Sequence, residues 1–212
     1  MKPKKNSIPT YWSSGIKHLC KVDPVLSAII KKHKKDSCLK RTSTPFKTFF
    51  SIIVGQQISI EAASSIEKRI KLQIKSITPI NVLHTSDNNL RSFGLSFRKV
   101  QYIKGVANLI LNNRNFFSSL SKMNDDDAIA ALSTLYGIGL WSAEMFLIFQ
   151  YNRQNILPVG DIGLINSFCN NYNINKKNFL KIIPRYKKNW EPYCTVATWY
   201  LWRDIDEDIV QY

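Results

Sequence analysis

The sequence predicts an all-α protein. Helix-start signals recur along the chain, and the apolar residues after them fall at helical spacing. No stretch alternates apolar and polar residues between turn signals as a confident hairpin would.

The elements follow in order. Asp23-Pro24 sets a capping carboxylate before a proline at the first helical position and opens an apolar segment through Ile30. Thr44-Pro45 repeats the device before Phe46, Phe49, Phe50 and Ile53. Ser59 precedes a stretch with Ala62, Ala63, Ile66 and Ile70 on one face, and Thr78-Pro79 opens a short helix. Ser96 begins a helix with Val100, Ile103, Val106, Ala107 and Ile110 at helical spacing. Asp125 to Leu135 and Trp141 to Gln150 continue the pattern, and a last long one runs from about Lys187 to Arg203. Roughly ten short helices result. Their connections are short, so no long linker divides the chain, and no repeat of fixed period is present.

Composition narrows the class. The 212 residues are 44% apolar, which fits a globular core and argues against a disordered basic tail. The chain is long enough for one domain or two small lobes. Apolar runs reach only about five residues (Met145 to Phe149 is one), whereas a membrane helix needs roughly 20. Lys17, His18, Lys21 and Asp23 interrupt any signal-peptide core near the start, so a reducing cytosol or nucleus is expected. Cys20, Cys38, Cys169 and Cys194 form no CxxC pair, which favours buried free thiols over a zinc or iron–sulfur site.

The net charge is +15, from 30 Lys and Arg against 15 Asp and Glu. Residues 1–41 hold eleven of the basic residues and two of the acidic ones, including Lys2, Lys4, Lys5 and the run Lys31, Lys32, Lys34, Lys35. Such a patch attracts polyanions, and nucleic acid is a better fit than solubility alone.

The chemistry is concentrated in two neighbouring segments. Leu135-Tyr136-Gly137-Ile138-Gly139-Leu140-Trp141-Ser142-Ala143 joins two helical patterns through a tight turn. Gly137 and Gly139 permit backbone conformations closed to other residues and let N–H groups at the next helix approach a phosphate, while Ile138 tucks beneath the turn. An ordinary helical hairpin would use glycine too. Ile156-Leu157-Pro158-Val159-Gly160-Asp161-Ile162-Gly163-Leu164 follows, with Asp161 before a helical stretch where an N-cap belongs.

Together these segments resemble the helix-hairpin-helix DNA glycosylase superfamily, in its 3-methyladenine DNA glycosylase II branch. Gly55-Gln56-Gln57-Ile58-Ser59, Gly94-Leu95-Ser96 with Lys99, and Ala197-Thr198-Trp199-Tyr200-Leu201-Trp202-Arg203 agree with it, so the likeness covers about residues 45–203. The resemblance implies a two-lobed helical fold. An N-terminal β domain, present in some relatives, is not expected, because the stretch before Phe46 is short and helical. On this reading residues 1–45 are a basic arm and the first helices. Residues 46–203 are the helical core with the hairpin at about 126–150, and 204–212 are an acidic tail.

The resemblance also assigns roles. Asp161 is the catalytic carboxylate. It stabilises positive charge that builds on the sugar as the N-glycosidic bond breaks, and it orients or deprotonates water. Trp141 stands where members that also cut the strand carry a Schiff-base lysine, and an indole supplies no such amine. The chain is therefore expected to be a monofunctional hydrolase. Trp141, Trp202, Trp199, Tyr200 and Met145 are base-pocket candidates, since electron-rich indoles attract cationic alkylated purines. Core packing explains Trp199 or Tyr200 equally well. His18, His33 and His84 lie far from the motif and are expected at the surface.

A flipped base leaves a gap in the stack, and Gln57, or else Gln56, is expected to fill it. Gly137, Ile138 and Gly139 would hold the phosphate. No cofactor or side-chain metal site is expected. A monovalent ion, Na or K, is implied on hairpin carbonyls near 134–139. The expected partner is double-stranded DNA with alkylated bases, with no membrane and a monomeric chain. The expected place is the bacterial cytoplasm with its nucleoid, or a eukaryotic nucleus. The competing readings are a glycosylase for oxidised or mismatched bases and a non-catalytic helix-hairpin-helix DNA-binding module. Ser142, where Thr is common, and Met145, where some relatives have an aromatic, depart from the family pattern.

Overall fold

The computed structural model describes residues 8–33, 38–39, 43–113 and 115–205. Among them are thirteen α-helices, one short 3-10 turn and no strand. The all-α expectation holds. Most of the basic arm's extreme start (1–7) and of the acidic tail (206–212) lies outside the described residues.

The chain forms two compact units, one of residues 1–41 with 147–211 and the other of residues 42–146. The second is built on α3 (Pro45–Gly55), whose Phe46, Phe49, Phe50, Ile52, Ile53 and Val54 are all buried. A helix apolar on nearly every side must be surrounded. Around α3 pack α4 (Ile60–Gln73) and α7 (Phe97–Asn112), and α5 (Pro79–His84) and α6 (Asp87–Ser92) pack on α7. Next come α8 (Phe116–Leu120), α9 (Asp125–Ser133) and the start of α10 (Leu140–Tyr151). Phe49 stacks on Phe146 of α10 with ring centres 3.9 Å apart, and Phe117 of α8 packs against both.

The caps expected from sequence form. Side chains of Thr44, Ser59, Thr78 and Ser96 each accept a backbone N–H at the start of their helix. Each satisfies a donor the helix itself leaves orphaned.

The other unit contains α1 (Trp12–Val22), α2 (Pro24–Lys32), α11 (Ile162–Asn171), α12 (Phe179–Trp190) and α13 (Cys194–Ile205). Asp23 caps α2 and is buried. Its Oδ1 accepts from Val25 and Leu26 N–H, and its Oδ2 from the Tyr172 hydroxyl at 2.7 Å and the Trp190 indole at 2.9 Å. Four donors thus satisfy a carboxylate that would be costly to bury alone. Phe168, Tyr172, Tyr186 and Trp190 form an aromatic cluster around it.

Two expectations are corrected. The pattern from Lys187 to Arg203 is not one helix: α12 ends at Trp190, and Glu191, the residue before Pro192, leaves the helical region with ψ 141°, as residues before proline tend to, so Glu191-Pro192-Tyr193 intervenes before α13. His33 is not a free surface residue, since its side chain is largely buried and its Nε2 lies 3.4 Å from Asp204. Cys169 and Cys194 are buried free thiols, while Cys20 and Cys38 are half-buried.

Candidate functional site

Asp161 stands at the N-terminus of α11, in extended conformation, after a turn closed by its own N–H to the Pro158 carbonyl. Its Oδ1 accepts two hydrogen bonds, from Leu164 N–H at 2.7 Å and from the Trp202 indole N–H at 2.8 Å. The first is the cap read from sequence. The second comes from α13 and fixes the carboxylate in a plane the cap alone would not set. Trp202 is itself held, lying parallel to Phe149 with ring centres 6.0 Å apart.

Thr195, at the start of α13, ties the preceding loop to the same helix. Its hydroxyl donates to the Arg153 carbonyl at 2.6 Å and accepts from Ile156 N–H, and its N–H donates to the Gln154 carbonyl. Loop and indole therefore share one support. Gly163 completes the setting. A Cβ there would meet Asp161 Oδ1 at 3.1 Å and the Trp202 ring at 3.4 Å. Thr195 and Gly163 carry no sequence signal for these contacts, which appear only once α13 is placed.

Of the other aromatic candidates in this unit, Trp199 and Tyr200 are buried against Trp12, at 6.1 and 6.2 Å between ring centres. That is the core packing left open above, whereas the Trp202 indole bonds Asp161.

The remaining candidates lie in the unit of residues 42–146. Trp141 is half-buried and Met145, one turn later on α10, is buried. Ile138 is buried under the hairpin. The two hairpin glycines differ, contrary to the expectation that both need glycine's freedom. Gly137 has φ +82°, and a Cβ on it would meet the Tyr102 ring at 2.2 Å. Gly139 has no left-handed φ, and a Cβ there would meet nothing within 4 Å. Tyr102 fills the space under Gly137 and packs edge to face with the exposed Tyr136, ring centres 4.9 Å apart. The first turn of α10 follows, and a helix N-terminus suits an anion.

Gln57 is exposed, in a turn after α3, with a left-handed φ of +57°. The Gln56 side chain points the other way in function. Its Nε2 donates to the Gly137 carbonyl at 3.0 Å and to Ser142 Oγ at 2.9 Å. Lys99 donates to the carbonyls of Val54 at 2.7 Å and Gln56 at 2.8 Å.

No group of three His, Cys, Asp or Glu side chains is placed to hold a metal among the described residues. No helix among them is long and apolar enough to cross a membrane.

Comparison with known proteins bears on this arrangement. The model of the HhH-GPD superfamily base excision DNA repair protein matches residues 50–192. A Bacillus subtilis relative is 27% identical over 189 residues, which span 85% of this chain and 66% of that protein. The crystal structure of a DNA-3-methyladenine glycosidase from Bacillus halodurans is 33% identical with a TM-score of 0.71, covering 91% of this chain and 89% of that one. The fold is also that of a Schizosaccharomyces pombe 3-methyladenine DNA glycosylase in complex with abasic DNA. Its TM-score is 0.76 at 23% identity, over 93% of this chain and all of that one.

Proposed function

Because the chain belongs to the HhH-GPD superfamily of base excision DNA repair proteins, we propose that it is a monofunctional DNA glycosylase acting on alkylated purines. The substrates would be of the 3-methyladenine and 7-methylguanine kind in double-stranded DNA. The observation that carries the reading is the Asp161 carboxylate, fixed by Leu164 N–H and the Trp202 indole. Breaking the N-glycosidic bond leaves positive charge on the sugar, and a carboxylate already held in place stabilises it without reorganising. The same group orients the attacking water or takes its proton. A cationic alkylated purine leaves readily, so a separate acid is not required.

The damaged base must leave the stack to be cut. Gln57, exposed on its turn, is the side chain suited to fill the gap, and Gln56, engaged by the hairpin, is not. Gly137 to Gly139 and the first turn of α10 would receive a backbone phosphate. The implied monovalent ion would share the hairpin's carbonyls. Those of Leu135 and Gly137 each already accept one protein donor, and each retains a second lone pair. Trp202, bonded to Asp161, is the base-recognition candidate of its unit, Trp141 and Met145 are those of the other, and substrate names among the relatives support the alkylpurine class. The chain is read as a monomer.

Asp161→Asn tests it directly. The Asn side-chain oxygen still accepts both donors, so fold and DNA binding should persist. Release of free base from methylated DNA should fall at least about a hundredfold, as when one electrostatic group is lost. Near-normal release by the folded variant would overturn the assignment. Borohydride should trap no covalent complex on damaged DNA, because Trp141 offers no amine for a Schiff base. A trapped complex in good yield would replace the monofunctional reading with a lyase.

A further inference from the structure

The turn that carries Gln57 and the phosphate-binding hairpin are connected by two side chains whose roles go beyond the reading above. A helix leaves its last carbonyls without intrahelical donors. At the end of α3, Lys99 Nζ takes two carbonyls in this region, Val54 and Gln56, on either side of Gly55. Burial lowers the pKa of this ammonium, so the contact is made at a desolvation cost that a surface lysine would not meet. The Gln56 amide has two N–H groups. Its nitrogen bonds the carbonyl of Gly137 in the loop and the hydroxyl of Ser142 in the first turn of α10. One side chain thereby spans the hairpin, while the backbone carbonyl of Gln56 is held by Lys99. The next residue is Gln57, in a left-handed conformation that residues other than glycine seldom adopt. Such a conformation persists where its surroundings over-determine it.

Resting on the glycosylase reading, we propose that Gln56 and Lys99 are positioning residues that lock the Gln57 turn to the hairpin, so that the part gripping the DNA backbone also aims the side chain entering the stack. Without this brace the turn relaxes toward ordinary φ and Gln57 is misdirected, while the hairpin still binds phosphate. Gln56 thus affects base release through Gln57, and undamaged duplex should be bound almost as before.

The test uses the full chain with Gln56→Met, Lys99→Met, Gln57→Ala and the Gln56→Met/Gln57→Ala pair. Gln56→Glu keeps the length but cannot donate to the Gly137 carbonyl, and it serves if Met disturbs folding. Two readouts are needed: single-turnover release from methylated DNA, and fluorescence of a 2-aminopurine opposite an abasic site, which reports insertion. Gln56→Met should slow release about tenfold at saturating protein, the scale of one or two lost hydrogen bonds, with undamaged-duplex affinity changed less than about twofold. Its fluorescence response should shrink, as should that of Lys99→Met. The double variant should match Gln57→Ala alone, since the brace acts through that residue. Independent, multiplying losses would overturn the proposal. So would an undamaged-duplex affinity that falls in step with release, an inert Gln57→Ala, or wild-type behaviour of Gln56→Met. The fluorescence arm requires no base release, so a wild-type chain that released no alkylated base would overturn the activity and leave the brace to be judged on insertion.

Discussion

Gly163 shows how closely the site is built. It is the second residue of α11, and the space where its side chain would be belongs to Asp161 Oδ1 and the Trp202 ring. Gly163→Ala has opposed effects. Alanine favours the helix by up to about 1 kcal/mol over glycine. Yet a methyl 3.1 Å from the carboxylate oxygen is tighter than ordinary packing allows, so the carboxylate or the indole must shift. The melting temperature should be unchanged or higher while base release falls, and a variant that is both more stable and fully active would show that the carboxylate tolerates displacement. Trp202→Phe separates the indole's two contributions, since it keeps a ring beside Phe149 but removes the N–H to Asp161. The cap made by Asp161 was legible in the sequence, because an Asp just before a helical stretch is a local signal. The difference between Gly137 and Gly139 was not legible, because it depends on Tyr102, which α7 brings beneath only one of them.

At the scale of elements, most capped helix starts were legible, although α6, capped by Ser86, was missed because its six residues show too little apolar periodicity. α1, α8 and α12 follow Tyr11, Asn115 and Asn178, which make no side-chain cap bond; the first two were not marked as helices from sequence, and only the end of α12 fell inside the pattern from Lys187. Packing supplies what the cap does not. The junction of α2, α11 and α13 is another case. Asp204, near the end of α13, accepts from Lys32 at 2.7 Å and Asn171 at 2.9 Å, with His33 at 3.4 Å. Burial alone would raise the Asp204 pKa, but the hydrogen bonds from Lys32, Asn171 and His33 outweigh it and hold the carboxyl below its ordinary range. A depressed folded-state pKa stabilises the protein above the unfolded value, and the gain is lost as pH falls through the folded one. The stability difference between wild type and Asp204→Asn should therefore be constant above about pH 5, given an unfolded Asp near 3.9, and shrink on further acidification. Thermal melts across that range would check it, and a difference that grows toward low pH would contradict the assignment.

At the scale of the whole molecule, the +15 charge and the phosphate grip proposed for the hairpin predict separable contributions to DNA binding. Removing residues 1–7 deletes Lys2, Lys4 and Lys5, which lie outside the described residues. The cut must stop there, because Pro9 is buried and its carbonyl receives Trp12 N–H at the start of α1. Every lysine contact to phosphate that is lost should flatten the salt slope by about one unit, and binding should weaken alike for damaged and undamaged duplex. Gly139→Ala removes no cation and meets nothing within its own chain. Any loss of affinity it causes must come from the approach of the phosphate, and it should be nearly equal at every salt concentration. Gly137→Ala is a poorer probe, since its methyl would enter the Tyr102 ring and disturb the hairpin itself. Affinities for abasic-site DNA over a salt series, with circular dichroism to check folding, distinguish the cases. A parallel shift for Gly139→Ala beside a flatter line for the truncation would assign short-range grip to the hairpin and long-range attraction to the lysines. Wild-type binding by folded Gly139→Ala would mean that the phosphate is held elsewhere.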